Sequence, residues 1–229
     1  MSSGTWRIAR IGGVDVLVGP SLLIMGALLV MVFAPRFAAG TGATSGYTAA
    51  ALFVLGLYVS VFLHELAHMV AARGFGLRVR SITLHILGGE TSIEGPGRTP
   101  MQEFVIAVVG PIVSLLIGFG CFLEGQGHPV IASLGWINIV VGVFNLLPGL
   151  PLDGGRALRA LIWRASGRVD AGTRLAAWMG RLIAVGLVVV TLMRADFGGS
   201  TWSVDLAFAI FVAWFLWEGA GHALRTARR

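Results

Sequence analysis

The chain has 229 residues, of which 56% are hydrophobic and 12% charged, with a net charge of +6 and a mean hydropathy of +0.84. A soluble globular domain carries roughly a quarter of charged residues, so this composition excludes one and points to a protein of the lipid bilayer. The single cysteine, Cys121, leaves no internal disulfide and no cysteine-based metal cluster, and reads as a small packing residue.

In chain order, "WRIARIGGVDVLVGP" alternates apolar and polar residues and predicts a short strand leading into the membrane. Apolar runs then recur near residues 14–34, 47–72, 104–123, 131–147, 175–193 and 202–219, most of them near the ~20 residues of a spanning helix. They predict six spans. The first run lacks a small-residue cleavage signature and reads as a retained helix. The 131–147 run is short and ends among prolines, which suits a broken or partly submerged helix. Between the second and third runs, "LRVRSITLHILGGETSIEGPG" is strand-like, interrupted by Gly88, Gly89 and the "EGPG" turn. It reads as a hairpin or a re-entrant loop, and at membrane depth it requires surrounding protein or a water-filled cavity. The expected fold is an all-α polytopic membrane protein of about six transmembrane helices with short β segments near residues 6–18 and 78–98, forming one domain over residues 1–229.

All 17 basic residues are arginine. Arg7 and Arg10 precede span one; Arg73, Arg78, Arg80 and Arg98 follow span two. Arg156, Arg159, Arg164, Arg168 and Arg174 lie between spans four and five, and Arg225, Arg228 and Arg229 follow span six. Only Arg36 and Arg194 fall on the opposite side, with Arg181 inside span five. By the positive-inside rule both termini are cytoplasmic, as expected of a multi-pass protein of the cell (inner) membrane. This loop-by-loop distribution explains the basic balance without a nucleic-acid partner.

The second run closes on "FLHELAHMVAAR". His64 and His68 are spaced i, i+4, so on a helix their imidazoles project from one face and can bind one metal ion. Glu65 completes the H-E-x-x-H pattern, in which two histidines hold zinc and the glutamate is the general base. Five residues with two free positions recur by chance, but ionisable groups inside a span are costly and mark function. His64 lies nine residues before Arg73, roughly 13 Å inside the cytoplasmic end of the helix.

A catalytic zinc usually takes three protein ligands. Asp153, in "FNLLPGLPLDGGRALRA", stands where Pro148, Pro151, Gly154 and Gly155 should break the helix and turn side chains into a cavity. A simpler reading of the stretch is a helix end capped by Asn145 and Asp153. His85, His128 and His222 are the other candidate donors, and Asp205 and Glu218 read as interfacial or interhelical polar residues.

"HELAH" together with "NLLPGLPLDGGR" resembles the site-2 protease family of intramembrane zinc metalloproteases. The likeness extends to "EFVIAVVGPIVSLL" and to the Gly-Gly of "LHILGGE". The resemblance implies one zinc held by His64, His68 and Asp153, Glu65 as general base, and Asn145 near the scissile carbonyl. It implies that the segment around Gly88 and Gly89 offers a strand edge to substrate, although the two glycines also suit a plain tight turn. It further implies single-pass membrane protein substrates such as anti-sigma factors, cleaved within or next to their transmembrane segments. Family members often carry a PDZ domain or a pair of CBS domains, for which this chain has no room; "ALRTARR" is then the end of a trimmed or of a minimal member, a point that concerns regulation. The alternative from another class is a metal transporter or channel using the same His/Glu/Asp cluster at a broken helix.

Overall fold

The computed structural model describes residues 4–38, 43–85, 88–95, 97–125, 127–195 and 202–227. Arg228 and Arg229, counted above as topology signals, and Pro96 of the "EGPG" turn lie outside them. The elements run β1 (Trp6–Ile11), β2 (Val14–Val18), α1 (Pro20–Ala38), α2 (Ala43–Gly74), β3 (Val79–His85) and β4 (Gly88–Ile93). There follow α3 (Pro100–Glu124), α4 (Pro129–Asn145), α5 (Asp153–Ser166), α6 (Val169–Arg194) and α7 (Trp202–Thr226).

Five helices, α1, α2, α3, α6 and α7, are long and apolar enough to cross a membrane, which makes the chain a multi-pass membrane protein. The sixth expected span is α4, with 17 residues. At 1.5 Å per residue it reaches about 26 Å, short of a ~30 Å hydrocarbon core. Prolines at both borders, Pro129 and Pro148, prevent its extension. The β segment expected near residues 6–18 is present, and the apolar run counted from residue 14 becomes helical only at Pro20, whose fixed φ suits a first helical turn. The single strand expected there is a hairpin: Gly12 and Gly13 both have positive φ, 56° and 87°, as a two-residue primed turn requires.

Backbone packing divides the chain into two compact units, residues 1–97 with 109–143 and residues 98–108 with 144–229. In the first, the four strands form a sheet in the order β1-β2-β3-β4. β1 pairs with β2 antiparallel, β2 with β3 parallel from Asp15↔Ser81 to Val18↔Leu84, and β3 with β4 antiparallel, His85 opposite Gly88. The segment after α2 is thus a hairpin, not a re-entrant loop. The parallel pair needs a crossover, supplied by α1 and α2. Val14, Val18, Ile82 and Leu84 are buried against Leu22 and Met69, with Tyr58, Val61, Phe62 and Leu66 of α2 packed around them. The sheet therefore lies along the part of α2 that carries the H-E-x-x-H residues.

Helices in lipid gain little from hydrophobicity alone and associate by close packing and hydrogen bonds. Gly46 of α2 meets the Ala34 carbonyl of α1, and Gly135 of α4 meets the Gly118 carbonyl of α3; a Cβ would crowd either place. Phe33 and Phe37 of α1 pack their rings at tilted angles against Phe53 of α2. The buried Asn138 amide donates to Ser60 Oγ (3.1 Å) and to the Leu134 carbonyl (2.8 Å), bonds worth about 0.6 kcal/mol each in such settings.

In the second unit α6 packs on α7 through Ala176, Ala177 and Ala220, each 0% exposed. The chain between α4 and α5 lies directly on these helices. Leu150 N donates to the Ala176 carbonyl at 2.9 Å, the Leu150 carbonyl touches Gly180, and Pro151, after a cis peptide bond, touches Gly219. α5, strongly amphipathic and not foreseen from the sequence, ends on Gly167 in the left-handed conformation.

Candidate metal centre

α2 is a continuous 32-residue helix, and its regular spacing places His64 and His68 on one face. Their Nε2 atoms lie 3.1 Å apart, with the rings nearly perpendicular at 74°. Both side chains are buried, 6% and 3% exposed. Two nitrogens each 2.0–2.1 Å from one tetrahedral zinc would stand about 3.3 Å apart, so the pair fits a shared metal. His64 Nδ1 lies 2.9 Å from the hydroxyl of Ser114, itself 1% exposed. The tautomer that donates from Nδ1 to Ser114 leaves the Nε2 lone pair facing His68, the outer-shell arrangement usual for a metal-binding histidine.

Gly110 of α3 forms the wall behind the rings. A Cβ there would stand 2.6 Å from His68 Cε1 and 2.7 Å from His64 Nε2, so only glycine leaves the imidazoles in place. The space is shaped around the nitrogens.

Glu65 is 7% exposed and faces β4. Its Oε2 accepts from the Thr91 hydroxyl at 2.7 Å, and the same hydroxyl lies 3.0 Å from the Glu65 carbonyl. Gly89, two residues before Thr91 and so on the same face of β4, backs onto the carboxylate; a Cβ there would come within 2.8 Å of Glu65 Cδ and 2.9 Å of Oε1. Gly88 opens β4 with φ 121°. The glycine pair thus begins the edge strand: Gly88 takes a backbone conformation that a side chain resists, while Gly89 makes room for Glu65.

Asp153 belongs to the second unit, where it is the first residue of α5 and 13% exposed. The backbone turns there under tight constraint: Gly154 abuts the carbonyls of Leu146 and Leu147, and Gly155 abuts Gly149 and Leu150. One of the Asp153 carboxylate oxygens lies 3.7 Å from Arg156 Nη1. Arg156 in turn donates from Nε to Glu103 at 3.2 Å, and Arg159 also donates to Glu103, which is 2% exposed. Arg156 and Arg159, counted from the sequence among the loop charges that set topology, are also partners of a buried acid. Asn145 is the last residue of α4 and half-buried. His85 closes β3, His128 precedes α4 and His222 lies in α7.

Gly110, Ser114 and Thr91 were not singled out in the sequence. "GPIVS" of α3 lies in a stretch noted for its family likeness, and "GGET" of β4 in one noted as strand-like and for its glycines, but neither observation points to these residues.

A polytopic helical fold with a buried H-E-x-x-H helix beside a small mixed sheet defines the class of membrane-embedded metallopeptidases. The chain belongs to Peptidase family M50, whose profile matches residues 52–128 and 124–189. It is 38% identical over 230 residues to Rip3 of Mycobacterium tuberculosis, an alignment covering 93% of this chain and 57% of Rip3. It is 35% identical over 155 residues to the zinc metalloprotease MJ0392 of Methanocaldococcus jannaschii, covering 64% of this chain and 44% of that protein. The solved site-2 protease from Methanocaldococcus jannaschii superposes with a TM-score of 0.66 at 25% identity, covering 96% of this chain and 95% of that one. The chain spans little more than half the length of Rip3. Rip3 and MJ0392 both carry zinc in their names, and membership in a peptidase family favours a protease over the transporter alternative.

Proposed function

We propose that this protein is an intramembrane zinc metalloprotease that hydrolyses peptide bonds within or next to transmembrane segments of membrane protein substrates. The observation that carries the reading is the pair of convergent histidines on α2 with Glu65 next to them in sequence, buried and held by a strand whose glycine makes room for it. His64 Nε2, His68 Nε2 and an Asp153 carboxylate oxygen would hold the metal; two imidazoles and one carboxylate are a donor set that zinc takes in peptidases. Zinc bound there lowers the pKa of its water toward neutrality and polarises a carbonyl.

The Thr91 hydroxyl fixes Oε2 of Glu65, which leaves Oε1 to take the proton of the attacking water and return it to the departing amine. Asn145 is the amide donor assigned to the developing oxyanion, from the resemblance of "NLLPGLPLDGGR". β4 is an edge of the sheet, and Gly88 and Gly89 begin it. An extended substrate segment added to this edge would satisfy the backbone groups that leave its own helix, next to Glu65. Substrates of this kind are single-pass membrane proteins, anti-sigma factors among them. The arginine distribution supports cytoplasmic termini, and the position of His64, ten residues before the end of α2 at Gly74, supports a submerged site about 15 Å from that end.

The test is zinc content and cleavage of a model transmembrane substrate by wild type, Glu65→Gln and Asp153→Ala in detergent. Glu65→Gln should keep one zinc per chain and lose cleavage by about 10²–10⁴-fold. Asp153→Ala should lose zinc. Cleavage surviving Glu65→Gln would overturn the general-base assignment, and normal zinc in Asp153→Ala would return the third-ligand role to the remaining histidines.

A further inference from the structure

Arg181 sits inside the apolar part of α6, where a charged side chain is costly and marks a function by default. Its guanidinium carbon lies 5.1 Å from the Trp178 ring centroid and 4.7 Å from that of Trp217 on α7. The aromatic rings cradle the cation's faces but leave its in-plane donors unused: Arg181 Nε is buried with no hydrogen-bond partner. A second cation reaches the same place. Arg181 Nη2 and Arg225 Nη1 lie 3.6 Å and 3.5 Å from the point where a Cβ on Gly221 would stand. Among the described residues neither guanidinium forms a salt bridge with a carboxylate. Two like charges converging over a side-chain-free patch, with the buried Arg181 Nε unspent, make a site for an anion.

We propose that Arg181 and Arg225, framed by Trp178 and Trp217, bind the phosphate of an anionic phospholipid headgroup. Two planar donor forks suit phosphate oxygens in bidentate geometry. The surroundings favour a lipid over free phosphate. Trp178 and Trp217 are 59% and 43% exposed, and their neighbours Leu182 and Trp214 are 63% and 57% exposed. They form an apolar outer face of the kind that meets acyl chains, with tryptophans at the level where headgroups begin. Arg181 lies six residues into the apolar run that starts at Leu175, about 9 Å along the helix, a depth from which a snorkelling arginine reaches the phosphate layer. Arg225 lies one residue from the end of α7 at Thr226.

The test is native mass spectrometry of the delipidated full chain, titrated separately with dioleoylphosphatidylglycerol, dioleoylphosphatidylcholine and inorganic phosphate. Wild type should retain one phosphatidylglycerol per chain, more tightly than phosphatidylcholine and undisturbed by millimolar phosphate. Arg181→Gln and Arg225→Gln should each weaken it by roughly fivefold, while Arg181→Lys, which keeps the charge but loses the fork, should fall between. Arg225→Gln, near the helix end, keeps the test decisive if Arg181→Gln fails to fold. Phosphate that binds alone and displaces the lipid would make this a soluble-anion site and overturn the lipid assignment. Equal retention of both lipids, or wild-type retention by Arg225→Gln, would overturn the site.

Discussion

The helix that carries His64, Glu65 and His68 and the broken segment that carries Asp153 solve one problem in opposite ways. In α2 the positions follow from helical repetition, and neighbours only trim the space: Gly110 clears the imidazoles, Gly89 clears the carboxylate, and Ser114 and Thr91 orient one ring and one oxygen. Around Asp153 no repetition operates. The backbone is fixed by its own close contacts, Leu150 on Gly180, Pro151 on Gly219 and Gly154 on Leu146, with a buried acid-arginine cluster beyond. A regular element can place chemistry by period; an irregular one must place it by packing density.

This contrast can be broken by adding single methyl groups. Gly110→Ala should have the largest effect, because its Cβ collides with both imidazoles: zinc retention against a chelator should fall by about 100-fold, with helical content unchanged. Retention equal to wild type would show that α2 alone sets the ring positions. Gly180→Ala pushes on the Leu150 carbonyl, three residues before Asp153, and should cost about 1–3 kcal/mol in thermal stability together with a loss of zinc. If zinc stays while stability drops, the packing around Asp153 serves the fold and not the ligand. Ser114→Ala removes one hydrogen bond to His64 and nothing else, so the expected loss in zinc affinity is the smallest, roughly tenfold, read by competition with a chelator.

The difference between the two regions also decides what was legible beforehand. His64, Glu65 and His68 announce themselves because the spacing i, i+4 is visible in one dimension and the apolar setting makes each polar residue conspicuous. Asp153 could be nominated, since prolines and glycines mark a break, but spacing alone left three histidines as rivals. Gly110, Ser114 and Thr91 gave no signal of their own: their roles arise from approach across 50 residues between His64 and Ser114, or 26 between Glu65 and Thr91. α5 went unseen because its arginines resemble an ordinary positively charged loop, and only the buried Glu103 distinguishes Arg156 and Arg159 from surface charges. The strand at Val14–Val18 falls within the β segment expected near residues 6–18 from its alternation, although the apolar run counted from residue 14 overlaps it, since hydropathy alone does not separate a buried strand from the start of a membrane helix.

The parallel pairing of β2 with β3 also imposes an order on synthesis. β2 leaves the ribosome before α1 and α2 exist, and its partner follows them, with Val18 meeting Leu84. Both α1 and α2 are therefore synthesised before the sheet can close, and β4, which holds Glu65 through Thr91, is the last of the four strands to be made. A nascent chain arrested before residue 91 would display the histidine pair with its glutamate still unsupported, and Gly110 and Ser114, which shape and orient the imidazoles, come later still, so competence is not acquired with the appearance of the motif.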